Sequence, residues 1–445
     1  MAKVITTELQ HSGASAANIT LDSSKNVTCE NNLQVDGNVT VTGTLPADKL
    51  TGTAAAINGS NITNLPAANL TGTLPAISGA NLTGISTPLS FRNLIDNGGM
   101  RIAQRGTSKT GVTSTGRYCL DRWQTEVAHD TGYGTYTISQ ESSATLPDGH
   151  TNSYKIQCTT ADTSVGSNDM VTIYTAIEAR DCVRLRYGTA DALTTTLSFW
   201  VRTNLENKTG FVMLYKNDNV ERHICKSYTT HGTAGTWKKV TLTFPGDTTG
   251  AINNDEGAGV YLQWFLCAGA TQSVDPPTSW ANYNSNAKAK GTTIEIASST
   301  DNYYEITGVQ WEVGTTATDY EHKSWHDELH KCQRYYWRVS GNANDMPGWN
   351  HIMWHASASF AHFTCPVPMR SQPSFTQNCT AKIVSSDNSD TWTSGMYIDN
   401  AVTNHDNGGG FHSGTFRKDI AGSSIDKPGT TQITVAGNFE FAAEI

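Results

Sequence analysis

Leu197-Ser198-Phe199-Trp200-Val201 and Val260-Tyr261-Leu262-Gln263-Trp264-Phe265-Leu266 decide how this chain folds. Both tracts combine β-branched and aromatic residues, the types that suit a pleated, half-buried surface. Successive strand side chains point to opposite faces, so each tract can turn an aromatic face to a common core. Burying each such side chain stabilises by about 1.5–3 kcal/mol. Working outward, further strands are predicted at Tyr154–Cys158, Met170–Ile177, Gly210–Leu214, Trp237–Phe244, Thr292–Ile296 and Tyr303–Glu312. Turn residues separate them at short intervals, the pattern of a β-sandwich or jelly roll over residues 91–322.

The chain has 445 residues, which suggests two to four domains. Its net charge is −9 and no Lys/Arg cluster stands out, which argues against a nucleic-acid partner. No run of about 18 apolar residues exists, so no membrane insertion is expected. The opening Met1-Ala2-Lys3-Val4-Ile5-Thr6-Thr7-Glu8 lacks the apolar core of a signal peptide, and synthesis in a cytosol is expected. The nine cysteines are scattered singly from Cys29 to Cys379, without a Cys-x-x-Cys pair. They read as reduced, buried thiols.

Composition changes sharply at Phe91. The preceding ninety residues contain no Phe, Tyr or Trp. Residues 18–44 alternate apolar and polar, with Asp36-Gly37 as a hairpin signal. Then Leu45-Pro46-Ala47-Asp48-Lys49-Leu50-Thr51-Gly52-Thr53 returns as Leu65-Pro66-Ala67-Ala68-Asn69-Leu70-Thr71-Gly72-Thr73. Each unit offers one or two Leu/Ile. That cannot offset an ordering entropy of about 1–2 kcal/mol per residue within one chain. Two outcomes are open: a disordered linker, or a shaft in which three chains pool their aliphatic side chains under cyclic symmetry.

The opening Lys3-Val4-Ile5-Thr6-Thr7, the run Asn18–Thr28 and the Leu-Pro/Leu-Thr-Gly repeats resemble virion fibre proteins of tailed bacteriophages, notably those of marine cyanobacteria. Asn93-Leu94-Ile95-Asp96-Asn97-Gly98-Gly99-Met100-Arg101-Ile102-Ala103-Gln104-Arg105-Gly106-Thr107 is similar to the start of a jelly-roll module common in phage tail fibres. Leu120-Asp121-Arg122-Trp123, Thr236–Gly250, Ile306–Gly314 and Ala317–Glu321 match the same module. So do Glu328–Tyr336 and Pro366-Val367-Pro368-Met369-Arg370 for the connector and the tip. The resemblance implies a carbohydrate-binding-module-like sandwich and an elongated homotrimeric fibre. It also implies an N-terminus, with Val4, Ile5, Ile19 and Leu21, that anchors to other virion proteins. The expected organisation is an anchoring β segment over 1–44, a trimeric shaft over 45–90, the jelly roll over 91–322, a connecting helix over 323–337 and a β tip domain over 338–445.

Ser324-Trp325-His326-Asp327 is a capping-box-like helix start. Trp325, Leu329, Cys332 and Tyr336 fall on one helical face, with Glu328, Lys331 and Arg334 left to solvent. His322, His326 and His330 recur every fourth residue, which suits either a metal-binding stripe or a solvated face, and no His-Glu-x-x-His motif accompanies them. In the tip, His351–Phe363 reads as a long strand or bent hairpin. Thr431–Ala436 and Asn438–Ile445 read as closing strands, and 404–410 as a flexible loop.

Aromatic rings among polar loop residues suit sugars, because a flat ring stacks on the apolar face of a pyranose while Asn, Asp and Gln hydrogen-bond its hydroxyls. Trp280, Tyr283, Trp349, Trp392 and Tyr397 have such neighbours; each could equally fill a core or an interface. Asp255-Glu256, Asp387, Asp390 and Asp399 form no recognisable catalytic spacing. Adjacent acids such as Asp255-Glu256 in a Gly-rich loop suit a structural calcium or a solvated turn. No other cofactor is expected. The expectation is a non-enzymatic virion fibre that adheres to host surface polysaccharide or lipopolysaccharide. A decorating head or neck fibre and a polysaccharide depolymerase are the alternatives.

Overall fold

The computed structural model describes residues 8–9, 19–21, 27–29, 91–114, 117–128, 134–143, 145–355, 358–384, 389–392, 396–398, 404–405, 410–419 and 429–445. The protein divides into two units, Met1–Leu82 and Thr83–Ile445. In the first, Glu8–Leu9, Ile19–Leu21 and Val27–Cys29 form a three-stranded antiparallel sheet. Ile19 and Leu21 therefore occupy one strand, whereas Val4, Ile5, the Asp36-Gly37 hairpin and the repeats of 45–90 lie outside the described residues.

The second unit is built on two antiparallel sheets. One runs Lys238–Phe244, Thr195–Thr203, Tyr303–Val313, Ser153–Thr160, Thr135–Glu141, Ser108–Val112. The other runs Ala281–Asn282, Arg222–Thr229, Thr209–Lys216, Ala258–Ala268, Met170–Glu178, Gln124–Ala128, Arg117–Tyr118. Their facing sides enclose the main core. Phe199 packs edge-on against Trp264 at 5.5 Å, so the two aromatic tracts do share one interior. Trp123 adds its ring to Trp264 at 5.7 Å, and the hydroxyls of Tyr228 and Tyr304 bond each other at 2.8 Å inside the core.

The Asn93–Gly99 motif closes this sandwich. Asn93 Nδ2 donates to Val309 O, and Asn93 Oδ1 accepts from the backbone N–H groups of Ile95 and Trp311. Asn97 is fully buried and left-handed (φ 54°). Its amide bonds Ile102 O and Asp121 O and accepts from Arg101 N and Ile102 N. A Cβ on Gly98 would collide with Val309 O, which explains the glycine. Thr292–Ile296 is not a strand. Only Thr293 pairs, exchanging its N–H and hydroxyl with Thr209, while Ile294 and Ile296 plug the core.

The helix spans Trp325–Gln333, with the Ser324 hydroxyl accepting from Asp327 N. Of the expected apolar face, Cys332 and Tyr336 are buried and Leu329 is half-buried, but the first turn differs. Trp325 is 47% exposed, while Glu328 is buried and accepts from Asn97 N at 2.5 Å. Lys331 and Arg334 are not free either: Lys331 bonds Asp96, and Arg334 grips Glu178 through two bonds. Polar partners on the sandwich set the orientation here, since a buried carboxylate must find donors and Asn97 N supplies one.

Beyond the helix, Tyr336–Gly341, Gly437–Ala442 and Ser374–Gln377 make a three-stranded sheet. A larger one runs Ser389–Trp392, Thr380–Val384, Gly429–Val435, Asn350–His355, Ala358–Met369, Phe411–Asp419, Met396–Ile398, with Asn404–His405 also paired to Phe411–Asp419. His351–Phe363 thus folds as a hairpin. Phe363, Phe411, Phe416, Phe439 and Phe441 form a second core. These sheets are tied to the sandwich by charge. Buried Glu178 accepts from Arg334 and from the Tyr335 hydroxyl. Glu444 pairs with Arg105 and Arg122. Arg370, the last residue of the Pro-Val-Pro-Met-Arg segment, donates to the carbonyls of Ala443, Glu444 and Glu256. Eight cysteines, from Cys119 to Cys379, are buried, and among the described residues they form no disulfide.

Two outcomes follow. Trp264→Ala should destabilise the unit by about 3–5 kcal/mol in denaturant unfolding, since it empties the centre of the core. His351 is buried between the hydroxyls of Ser359 and Thr431, and burial pulls its imidazole from 6.5 down to about 4. A depressed folded-state pKa favours the neutral ring. Its contribution is therefore complete above pH 6.5 and is lost as pH falls toward 4, by up to about 3 kcal/mol. His351→Gln should flatten melting temperature across that window; an unchanged slope would refute the assignment.

Candidate functional site: a tyrosine cleft on the outer face of the seven-stranded sheet

The strand Ala258–Ala268 alternates with period two. Val260, Leu262, Trp264 and Leu266 enter the main core. Tyr261, Gln263 and Phe265 therefore point outward. Cross-strand register extends this outer face: Tyr215 lies opposite Tyr261, and Gln263 lies between Met213 and Tyr174. A satellite apolar cluster of Met170, Met213, Cys225, Phe265 and Ala289 floors it.

On that floor stand four half-buried phenols. Tyr283 and Tyr215 approach to 4.5 Å, Tyr215 stacks on Tyr261 at 5.8 Å with planes 25° apart, and Tyr261 meets Tyr174 at 6.3 Å. The row crosses the sheet, so its spacing follows the strand separation of about 4.8 Å. Around it is a cleft of about 230 Å³, whose polar lining comes from Glu126, Gln263, Asn217 and Lys288. Gln263 Nε2 donates to Glu126 Oε2 and to Thr172 Oγ1, both at 2.9 Å, which fixes the amide and the carboxylate. The Tyr174 hydroxyl donates to Gln124 Oε1 and the Tyr215 hydroxyl to Asn217 Oδ1.

Burial raises the pKa of all four phenols. Glu126 adds to this at Tyr174, and Glu221 adds to it at Tyr215 and Tyr283. Burial lowers that of the Lys288 ammonium. The charges of Arg370 and Arg122 bear on Tyr261 and that of Glu444 on Tyr174, so the junction with the C-terminal sheets lies on that side of the cleft. Neutral rings with fixed amide and carboxylate groups beside them can stack on flat apolar faces and bond hydroxyls.

A larger groove of about 700 Å³ lies at the junction itself, around Arg105. Of its two lining cations, Lys109 is exposed and Arg105 is already occupied. Arg105 is sandwiched between the Tyr118 and Tyr336 rings and pairs with Asp121 and Glu444. Burial raises the Asp121 carboxyl to about 6. This groove is a structural clamp, and the smaller cleft has the free chemistry.

Of the residues singled out in the sequence, Tyr283 belongs to the cleft. Trp280 does not line it: its ring packs on Tyr187 at 5.5 Å and its Nε1 donates to Pro245 O. Trp349 is 6% exposed and lies against Phe416 and Phe439, both at 4.8 Å, inside the C-terminal core. Trp392 and Tyr397 stand in strands Ser389–Trp392 and Met396–Ile398, and their side chains lie outside the described residues. His322 contacts His150 and Tyr320, while His326 neighbours His330 at 6.4 Å. Asp255 and Glu256 engage Arg180, through the Asp255 carbonyl and the Glu256 carboxylate. Among the described residues no three His, Cys, Asp or Glu side chains gather to hold a metal. Tyr174, Tyr215, Tyr261, Gln263 and Glu126 escape a search confined to loops. Their signal is the outward half of each strand's alternation.

No protein-family model and no curated protein matches the chain. Among solved structures it is similar to the enzymatically active domain of tailspike protein 4 of bacteriophage CBA120, at 9% identity over 50% of this chain, TM-score 0.27. The match spans 21% of that tailspike chain. It is also similar to the family 11 carbohydrate-binding module of Clostridium thermocellum in complex with a β-1,3-1,4-mixed-linked tetrasaccharide, at 12% identity over 48% of this chain and 99% of that one, TM-score 0.23. A third likeness is the N-terminal cellulose-binding domain of Cellulomonas fimi β-1,4-glucanase C, at 15% identity over 44% of this chain and 90% of that one, TM-score 0.22. Scores this low fix neither a shared topology nor a shared ligand. The class is set by the sheets themselves: a mainly β protein built on an antiparallel two-sheet sandwich.

Replacing Tyr174 or Tyr215 by Phe should remove a phenol that titrates above the ordinary value of about 10. The difference in phenolate absorbance between wild type and variant should stay flat through that pH and rise only above it.

Proposed function

We propose that this chain is a glycan-binding fibre protein of a phage virion, and that it binds through the tyrosine cleft without cleaving its ligand. The observation that carries the reading is the row Tyr283–Tyr215–Tyr261–Tyr174, flanked by Gln263 and Glu126. Half-buried phenols beside fixed hydrogen-bonding groups match the alternating apolar and hydroxyl faces of a pyranose chain. The row crosses several strands, so an extended oligosaccharide would meet one ring after another. Glu126 is the one carboxylate among the described lining residues, whereas glycoside hydrolysis uses two.

The fibre context rests on the sequence. The aromatic-free N-terminal repeats resemble a phage fibre shaft, and pooling three chains would supply the apolar interior that one chain lacks. In this reading the N-terminus docks on other virion proteins, and host surface polysaccharide or lipopolysaccharide is the ligand. Several heads per particle convert weak individual binding into avidity.

The full chain should be retained on some glycans of a bacterial-polysaccharide array, with no release of reducing ends. Tyr261→Ala and Tyr215→Ala should each weaken binding about tenfold with the fold intact by circular dichroism, because each deletes one stacking platform. Equal binding by wild type and both variants would remove the cleft from the account. Sedimentation should find three chains per particle; a monomer would refute the fibre.

A further inference from the structure

The cleft's ligand carries an acid group, we infer, and Lys288 is the residue that reads it. This rests on the glycan-binding reading above and narrows its ligand to acidic sugars.

Lys288 stands on the segment that follows Ala281–Asn282 and folds over the outer face of the sheet. Its backbone is pinned. Lys288 N donates to Gln272 Oε1 at 3.1 Å, and the preceding carbonyl, Ala287 O, bonds His223 Nε2 at 3.1 Å. Ala287 and Ala289 on either side are buried, so the segment is held down and the intervening side chain lines the cleft. The ammonium is part-buried, and among the described residues it makes neither an ion pair nor a hydrogen bond.

Other cations of the sandwich are treated differently. Lys290, two residues on and exposed, pairs with Asp275 at 2.8 Å. Buried Lys216 and Arg222 both face Asp247. Lys288 loses water to the cleft wall without such compensation. The Glu126 charge bears on it, but no ion pair joins the two side chains among the described residues. That carboxylate is held by Gln263 and Thr172 through Oε2, and its Oε1 accepts no bond from the described residues.

The two groups therefore ask for different things. Glu126 Oε1 takes hydroxyl donors and repels an anion. Lys288 takes an acceptor, and a charged acceptor bonds an ammonium about twice as strongly as a neutral one. A sugar whose acid group sits at Lys288 and whose hydroxyls sit near Glu126 satisfies both. Lysine is a point charge without a fork, so carboxylate and sulfate are both admitted.

The test uses the full chain and a panel of matched polysaccharides. Several uronate backbones are each offered as the free acid and as the methyl ester, and dextran is offered with and without sulfation. Wild type should prefer the anionic member of the bound pair by about tenfold to a hundredfold at low salt, the effect of one charge-assisted bond. Lys288→Gln should bring that ratio close to one, Lys288→Arg should keep most of it, and Lys290→Gln should leave it unchanged. Near-ultraviolet circular dichroism checks that each variant is folded. Preference for uronates alone, or for uronates and sulfates alike, supports the inference and identifies the anion. Equal binding of both members by wild type overturns it while glycan binding stands. A ratio that survives Lys288→Gln removes Lys288 as the reader. If no polysaccharide on the panel is retained, both readings fall.

Discussion

The strand Ala258–Ala268 has to satisfy two interiors at once. Its inward residues complete the main core around Trp264, and its outward residues build the floor and one ring of the tyrosine row. A slip of one residue against Thr209–Lys216 or Met170–Glu178 would exchange the two sets and destroy both. Register is therefore fixed from both faces. The irregularities near Ala258 and Phe265 sit at the ends of the stretch and leave Tyr261 and Gln263 in unbroken pairing. A sheet covered on both sides holds its outward side chains on a stiff support, which is what a binding surface made of rings requires.

The motifs that resemble the phage-fibre module do structural work. Asn93 bonds Val309 and Trp311 where the leading strap crosses them, and Asn97 ties that strap to Ile102 and Asp121. Arg370 holds three carbonyls, and Glu178 and Glu444 collect arginines from both sides of the junction. Buried ions of this kind cost desolvation and add little net stability, but removing one partner leaves the other stranded. The network therefore fixes how the C-terminal sheets sit on the sandwich more than how strongly they are held there.

The sandwich was legible because Leu197–Val201 and Val260–Leu266 are rich in strand-forming residues, and the predicted strands other than Thr292–Ile296 match the structure to within two or three residues. Gln124–Ala128, Thr135–Glu141 and Arg222–Thr229 were harder to see, since their runs are broken by Glu, Gln, Lys and His that serve the outer face or its edges. The helix boundary was readable from Ser324, but its orientation was not. Nothing in the local spacing says that Asn97, more than two hundred residues away, will supply a donor to Glu328. Aromatic residues beside amides were expected on loops, and Tyr283 is such a residue. Its partners sit mid-strand, where a tyrosine is indistinguishable in sequence from a core ring until the inward and outward halves of each strand are assigned. Trp349 shows the converse: polar neighbours in sequence, yet a ring enclosed by Phe416 and Phe439.

The division of aromatic types between the two faces has an optical consequence. Every described ring lining the cleft is a phenol, while the indoles of Trp123, Trp264 and Trp311 are shut inside the main core. Emission from these indoles reports whether the sandwich is intact and is shielded from whatever lies on the outer face. Near-ultraviolet absorption of the phenols responds to the polarity above them. These three indoles are among eleven tryptophans, the exposed Trp325 included, so the division of integrity from occupancy is a property of the two sets of rings and not of the bulk signal.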